Sequence, residues 1–126
     1  MRSIIFLFCL SFLLVNCERK HYSLTPIGQE EFKEIYKSDK KIQLVDARTQ
    51  AEYDQGFIEG AILIDIRKND FLDQANSKLN TQDPIYIYCK MGSRSVKAGT
   101  ELLLSKKFPE VYYIKGGYTQ WKQNQE

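Results

Sequence analysis

Histidine and cysteine are scarce in this chain: one His, at position 21, and three Cys, at positions 9, 17 and 89, in 126 residues. With no CxxC pair and no His cluster, zinc ribbons and multi-His centres are excluded, and neither a metal nor a cofactor is expected. A Ser-His-Asp or Cys-His nucleophile would have to use His21, whose place near the N-terminus argues against both. An excess of one charge is also missing, since 18 Lys and Arg stand against 16 Asp and Glu, for a net charge of +2. No nucleic-acid partner is therefore expected. With 27% charged and 43% hydrophobic residues, the composition is that of a globular protein rather than a disordered one. The length suits one domain, and no repeat or low-complexity stretch divides it. A membrane-spanning run is lacking as well. Residues 4–15 are twelve in number and apolar; as a helix they would span about 18 Å, short of a hydrocarbon core of ~30 Å.

What that run offers instead is a targeting pattern. Met1-Arg2-Ser3 supplies a short basic start, and a basic start followed by a brief apolar segment is the form of a secretory signal. Leu14-Val15-Asn16-Cys17 closes it and resembles the lipobox of bacterial lipoproteins, in which the Cys is lipidated and becomes the first mature residue. Asn16 stands where that pattern usually has Gly, Ala or Ser. The resemblance implies a signal peptide over 1–16, lipidated Cys17 with a polar tether over 17–23, and a folded domain over 24–126. Such a domain would be extracytoplasmic and membrane-anchored, on the periplasmic side or at the cell surface. Cys9 then leaves with the signal and Cys17 becomes a thioether, so one thiol, Cys89, remains and a disulfide scaffold is excluded.

From residue 24 onward, strand-like and helical patterns alternate. Thr25-Pro26 reads as a helix start, Thr as N-cap and Pro at the first helical position, with Ile27, Phe32, Ile35 and Tyr36 as the apolar stripe to about Ser38. Strands are expected at 42–46, 61–64, 85–88 and 111–114, and helices at 49–55, 70–79, 93–107 and 118–122. On the helix at 93–107, Val96, Gly99, Leu102 and Leu103 share one face. Strands that are apolar throughout and separated by helices imply an α/β fold with a parallel sheet covered on both faces.

In such a sheet, ligands bind at the carboxyl ends of the strands. Cys89 ends the strand at 85–88, and Lys90-Met91-Gly92-Ser93-Arg94-Ser95 leads straight into a helix. The helix start offers unpaired N–H groups and a partial positive charge. Gly92 permits a tight curl that turns successive amides inward as an anion-binding nest, and Lys90 and Arg94 add cations. The thiolate is the reactive form of a cysteine, so the pattern suits an anionic sulfur nucleophile meeting an anionic substrate. A buried structural cysteine fits the same spacing.

Cys89-Lys90-Met91-Gly92-Ser93-Arg94-Ser95 resembles the C-x-x-G-x-R-S active loop of single-domain rhodaneses, the sulfurtransferase family. Thr25-Pro26, Val45-Asp46-Ala47-Arg48 with Glu52-Tyr53, Gly56 to Ala61, and Gly116-Gly117 with Trp121 follow the family's markers in order, over residues 24–121. The resemblance implies a five-stranded, mostly parallel sheet. It also implies a catalytic Cys89 that carries a persulfide from thiosulfate or a related donor to cyanide, a thiol or a partner protein, in a chain expected to be monomeric. Lys90, Met91, Gly92, Ser93 and Arg94 inherit the cradle around the sulfur. Phe57 stands where the family usually has His, and Leu63 where Asn is common. In this family Arg48 and Glu52 read as a structural ion pair, Trp121 as a core anchor, and Asp46 as a strand-end residue with a functional or a structural role. Two other functions share the pattern: a tethered binding or sensing module without turnover, and the phosphatase and arsenate-reductase branch of the fold. Against the latter, four residues separate Cys89 from Arg94, one fewer than in the Cys-based phosphatases.

Overall fold

A computed structural model describes residues 18–38 and 40–126. The signal peptide expected over 1–16 and the lipidation expected at Cys17 lie outside the described residues. Five strands, β1 (Ser23–Ile27), β2 (Gln43–Asp46), β3 (Ile62–Leu63), β4 (Ile85–Tyr88) and β5 (Glu110–Ile114), form one sheet in the order β1-β5-β4-β2-β3. Every pairing is parallel. Between and after them run α1 (Gln29–Lys37), α2 (Gln50–Asp54), α3 (Phe71–Lys78), α4 (Ser93–Leu104) and α5 (Gly117–Gln123).

Strand residues alternate between two cores because successive side chains point to opposite faces. Val45, Ile85, Ile87 and Val111 pack with Phe71 and Ala75 of α3 and Ala98 and Leu102 of α4. Leu44, Tyr88, Ile27 and Ile114 pack on the other face with Phe32 of α1 and with Tyr118 and Trp121 of α5. Trp121 anchors α5 as expected, its ring 5.4 Å from Phe32 and 5.3 Å from Tyr36.

Two expectations fail. Thr25-Pro26 lies inside β1, not at a helix start, and α1 begins after Gly28. The reason is position in the sheet: β1 is an edge strand bonded only to β5, and an edge strand tolerates a proline that has no N–H to donate. This unread strand is also the fifth. On α4, Val96 is 38% exposed, and the buried face is Ser95, Ala98, Gly99 and Leu102. Gly99 sets that face: a Cβ there would stand 2.6 Å from Leu24 Cδ1 and 3.4 Å from Val111 Cγ1, so the helix backbone itself rests on the side chains of β1 and β5.

Candidate active site

Cys89 directly follows β4 and is buried, 1% exposed. It is the one free cysteine among the described residues. Its Sγ accepts a hydrogen bond from the Gly92 amide at 3.0 Å. Gly92 has φ 134°, a conformation in which a side chain is strained; this curl aims its N–H back at the sulfur. The Gly92 carbonyl is tied down from the other side, accepting from Ser95 Oγ at 2.7 Å and from the Val96 amide at 3.3 Å. The amides of Ser93, Arg94 and Ser95 form the first turn of α4, where helix geometry provides no internal carbonyl partner.

The start of α5 clamps the same loop from outside. Tyr118 N donates to the Cys89 carbonyl at 2.8 Å and Thr119 N to the Lys90 carbonyl at 3.0 Å. Gly117 has φ 58°, and a Cβ there would lie 2.5 Å from the Cys89 carbonyl oxygen and 2.6 Å from that of Lys90. Gln29 Nε2 donates to the carbonyls of Lys115, at 2.7 Å, and Gly117, at 3.2 Å, bracing this turn against α1. In the sequence Gly116-Gly117 stands only as a marker of the resemblance ahead of Trp121; its contact with the Cys89 loop is a tertiary fact with no local signal.

Asp46, Arg48 and Tyr88 form a buried network beneath the loop. Asp46 is fully buried and accepts from the Arg48 amide, from Arg48 Nε and Nη2 and from the Tyr88 hydroxyl, the last at 2.7 Å. Arg48 Nη2 also donates to the Gly56 carbonyl at 2.7 Å, and its guanidinium lies 4.2 Å from the Tyr118 ring centroid. Burial opposes the Arg48 charge, but Asp46 outweighs it and the guanidinium pKa is raised. Burial, reinforced by the Asp46 charge, pushes the Tyr88 hydroxyl far above its ordinary value. Asp46 is thus wholly engaged in holding the strand ends.

The expected Arg48–Glu52 ion pair does not form. Arg48 precedes Thr49, the N-cap of α2, so it is not on the helix and the four-residue spacing does not bring it beside Glu52. Glu52 instead closes a capping box with Thr49 and pairs with Arg94, whose Nη1 and Nη2 each donate to one carboxylate oxygen at 2.7 Å. Arg94 holds the Glu52 carboxyl well below the usual carboxylate range, overcoming the opposing effect of burial. The bonds to Glu52 raise the Arg94 pKa, with burial opposing. The Arg94 side chain therefore ties α4 to α2.

Of the other loop residues, Lys90, Met91 and Ser93 are exposed. Lys90 borders a cleft of about 380 Å³ that is also lined by Arg48, Glu52, Tyr118, Thr119 and Lys122; Cys89 itself does not line it. Phe57 stacks on Tyr53 at 4.0 Å with the planes 5° apart. Leu63 ends β3, half-buried. Among the described residues no cluster of His, Cys, Asp and Glu could hold a metal ion, and no helix is long and apolar enough to cross a membrane.

The family description "Rhodanese-like domain" matches residues 28–124. The Bacillus subtilis protein YqhL, itself uncharacterized, is 30% identical over 118 residues, which are 94% of this chain and 88% of that one. An Arabidopsis thaliana protein named thiosulfate sulfurtransferase 18 is 36% identical over 90 residues, 63% of this chain and 65% of that protein. The crystal structure of a rhodanese-like domain protein from Staphylococcus aureus superposes with a TM-score of 0.67 at 32% identity, covering 77% of this chain and 90% of that one.

Proposed function

Because the chain belongs to the rhodanese-like domain family, we propose that it is a sulfurtransferase that carries sulfane sulfur on Cys89. The observation that carries this reading is the Gly92 amide donating to Cys89 Sγ at 3.0 Å at the start of α4. A sulfur there faces N–H groups and the positive end of a helix, which favour negative charge on it. In the first half-reaction the Cys89 thiolate attacks the outer sulfur of thiosulfate. A Cys89 S–S bond forms, the thiosulfate S–S bond breaks, and sulfite leaves with the electron pair. In the second, cyanide or an acceptor thiolate attacks the outer persulfide sulfur, giving thiocyanate or an acceptor persulfide and restoring the thiolate. Neither half-reaction calls for a metal or cofactor.

Burial of Cys89 suits this division. The outer sulfur of a persulfide stands about 2 Å beyond Sγ, so it is the atom an acceptor meets while Sγ stays covered. Met91, 71% exposed, and Lys90 form the outer rim of the cradle. Gly92, Ser93 and Arg94 supply backbone amides. Treating the chain with thiosulfate and weighing it intact tests the reading: the mass should rise by one sulfur atom, removable by cyanide. A folded chain that takes up no sulfur would favour the non-catalytic binding module instead.

The same proposal covers location. The apolar run at 4–15 and the lipobox-like Leu14-Val15-Asn16-Cys17 support a domain held outside the cytoplasm on a lipid tether at Cys17.

A further inference from the structure

We propose that the pole of the domain at which the strands begin docks on an anionic lipid surface, so that the Cys89 loop faces away from the membrane. This inference rests on the tether reading given above, and it is independent of the sulfur chemistry.

All five strands are parallel, so the segments that lead into β1, β2, β4 and β5 share one end of the sheet, and Cys89 lies at the other. Those leading segments carry Arg19, Lys20, Lys40, Lys41, Lys106 and Lys107, all exposed. Glu18, Asp83 and Glu110 lie among them, with Asp39 next to Lys40 in the sequence. Asp83 accepts from the Asn80 side-chain amide and Glu110 from the Tyr112 hydroxyl, neutral donors that leave both carboxylates charged. Glu59, Lys37 and Lys78 sit on the flanks. Within the leading segments the named cations outnumber the named anions by two, so this pole carries a positive charge equal to the net charge of the whole chain.

Direct contacts join these segments. The Tyr22 hydroxyl donates to the Lys106 carbonyl at 2.8 Å, and Lys106 Nζ stands 5.0 Å from the Tyr22 ring centroid. Lys20 and His21 share a cleft with Thr81, Gln82 and Glu110. Leu104, at the end of α4 beside the Lys106-Lys107 pair, is 70% exposed, which places an apolar group among cations as a lipid interface prefers. Lys106 has φ 61°, a conformation that favours glycine after a helix. A lysine is held there at a conformational cost.

Chain length agrees. Residues 18–22 separate the lipid-bearing Cys17 from β1, a span of at most about 20 Å when extended, so a tethered domain stays close to the lipid with this pole nearest. Attraction per cation at a lipid surface is modest. It would not hold a free domain, but it is enough to orient one whose tether already keeps it near.

The test is lysine acetylation of the full chain on vesicles, read by mass spectrometry. One set of vesicles is phosphatidylcholine alone and the other contains phosphatidylglycerol. On the anionic vesicles Lys40, Lys41, Lys106 and Lys107 should acetylate about fivefold more slowly than on neutral ones, with Lys90 and Lys122 unchanged. High salt should remove the difference, and the double variant K106E/K107E should lose the protection of Lys40 and Lys41. Sedimentation with both vesicles but equal acetylation overturns the docking alone. A chain that stays in the supernatant overturns the tether and the docking together, and sulfur uptake on Cys89 is unaffected by either result.

Discussion

At the residue scale, Cys89 has one close donor, the Gly92 amide, and a serine hydroxyl at that position accepts the same bond. Cys89→Ser is therefore expected to leave the melting temperature nearly unchanged while lowering thiosulfate-to-cyanide transfer by about a thousandfold or more. Undiminished transfer by a folded Ser variant would remove Cys89 from the chemistry. Arg94 tests a subtler division, because its guanidinium is paired with Glu52 while also standing within Coulombic range of Cys89. Glu52→Gln should reproduce most of the defect of Arg94→Ala, each lowering stability by about 1.5 kcal/mol, the lower end for charge-assisted hydrogen bonds. Were Arg94→Ala alone to raise KM for thiosulfate while Glu52→Gln left it untouched, the guanidinium would be a donor-binding group. The pair also sets a pH dependence. The Glu52 pKa is depressed in the folded state, so its contribution is fully present above the unfolded value of about 4.3 and is lost as pH falls below it. Urea midpoints of the wild type and Glu52→Gln should thus differ near neutrality and converge as the solution is acidified.

At the element scale, the strand β4, the Cys89 loop and helix α4 are legible in the sequence because each has a local signal: an apolar run, a glycine at the curl and a helical stripe. The edge strand β1 was not, since Thr-Pro carries the same local signal in an edge strand and at a helix start, and only the pairing with β5 decides. The Arg48 and Glu52 partners were equally hidden, for their true partners Asp46 and Arg94 are fixed by the fold around α2 rather than by helical spacing. The clamp from α5 had no local signal beyond the Gly116-Gly117 marker, which says nothing of its contact with the Cys89 loop. Its weight is measurable by comparing two glycines. Gly117→Ala adds a Cβ against the Cys89 and Lys90 carbonyls at φ 58°, whereas Gly99→Ala meets Leu24 and Val111, away from the loop. Gly117→Ala should lose about 1–3 kcal/mol of stability, and Gly99→Ala less, because the end of the Leu24 side chain can turn aside and alanine is the better residue inside a helix. Only Gly117→Ala should also lower kcat, as a displaced loop misaligns the sulfur and its amides; equal kcat values in the two variants would show that α5 does not position the loop.

At the scale of the whole molecule, two apolar cores on opposite faces of one parallel sheet leave the strand ends as the places where polar groups meet solvent, and the two ends differ. One holds the single thiol of the described residues; the other receives the chain from the lipobox-like segment. On the proposed reading, in which Cys89 carries a persulfide in a processed domain outside the cytoplasm, a lone thiol would have a physical advantage, because no second cysteine would be there to resolve the persulfide into an internal disulfide. The thiol also stays open to irreversible oxidation unless it is shielded, and Cys89 is shielded, at 1% exposure. The tether itself is testable apart from this chemistry. One lipid chain binds membranes only marginally, and stable anchoring takes a second signal, which diacylation at Cys17 or the basic pole would supply. Expressed with its own leader, the chain should partition into the detergent phase. Cys17→Ala should release it or block its processing while leaving the sulfur-transfer rate of the solubilised chain as it was. Recovery of the wild type as a water-soluble protein whose first residue lies beyond Cys17 would refute the lipid anchor, with Asn16 in place of Gly, Ala or Ser as the physical reason: its larger side chain would obstruct cleavage at that bond.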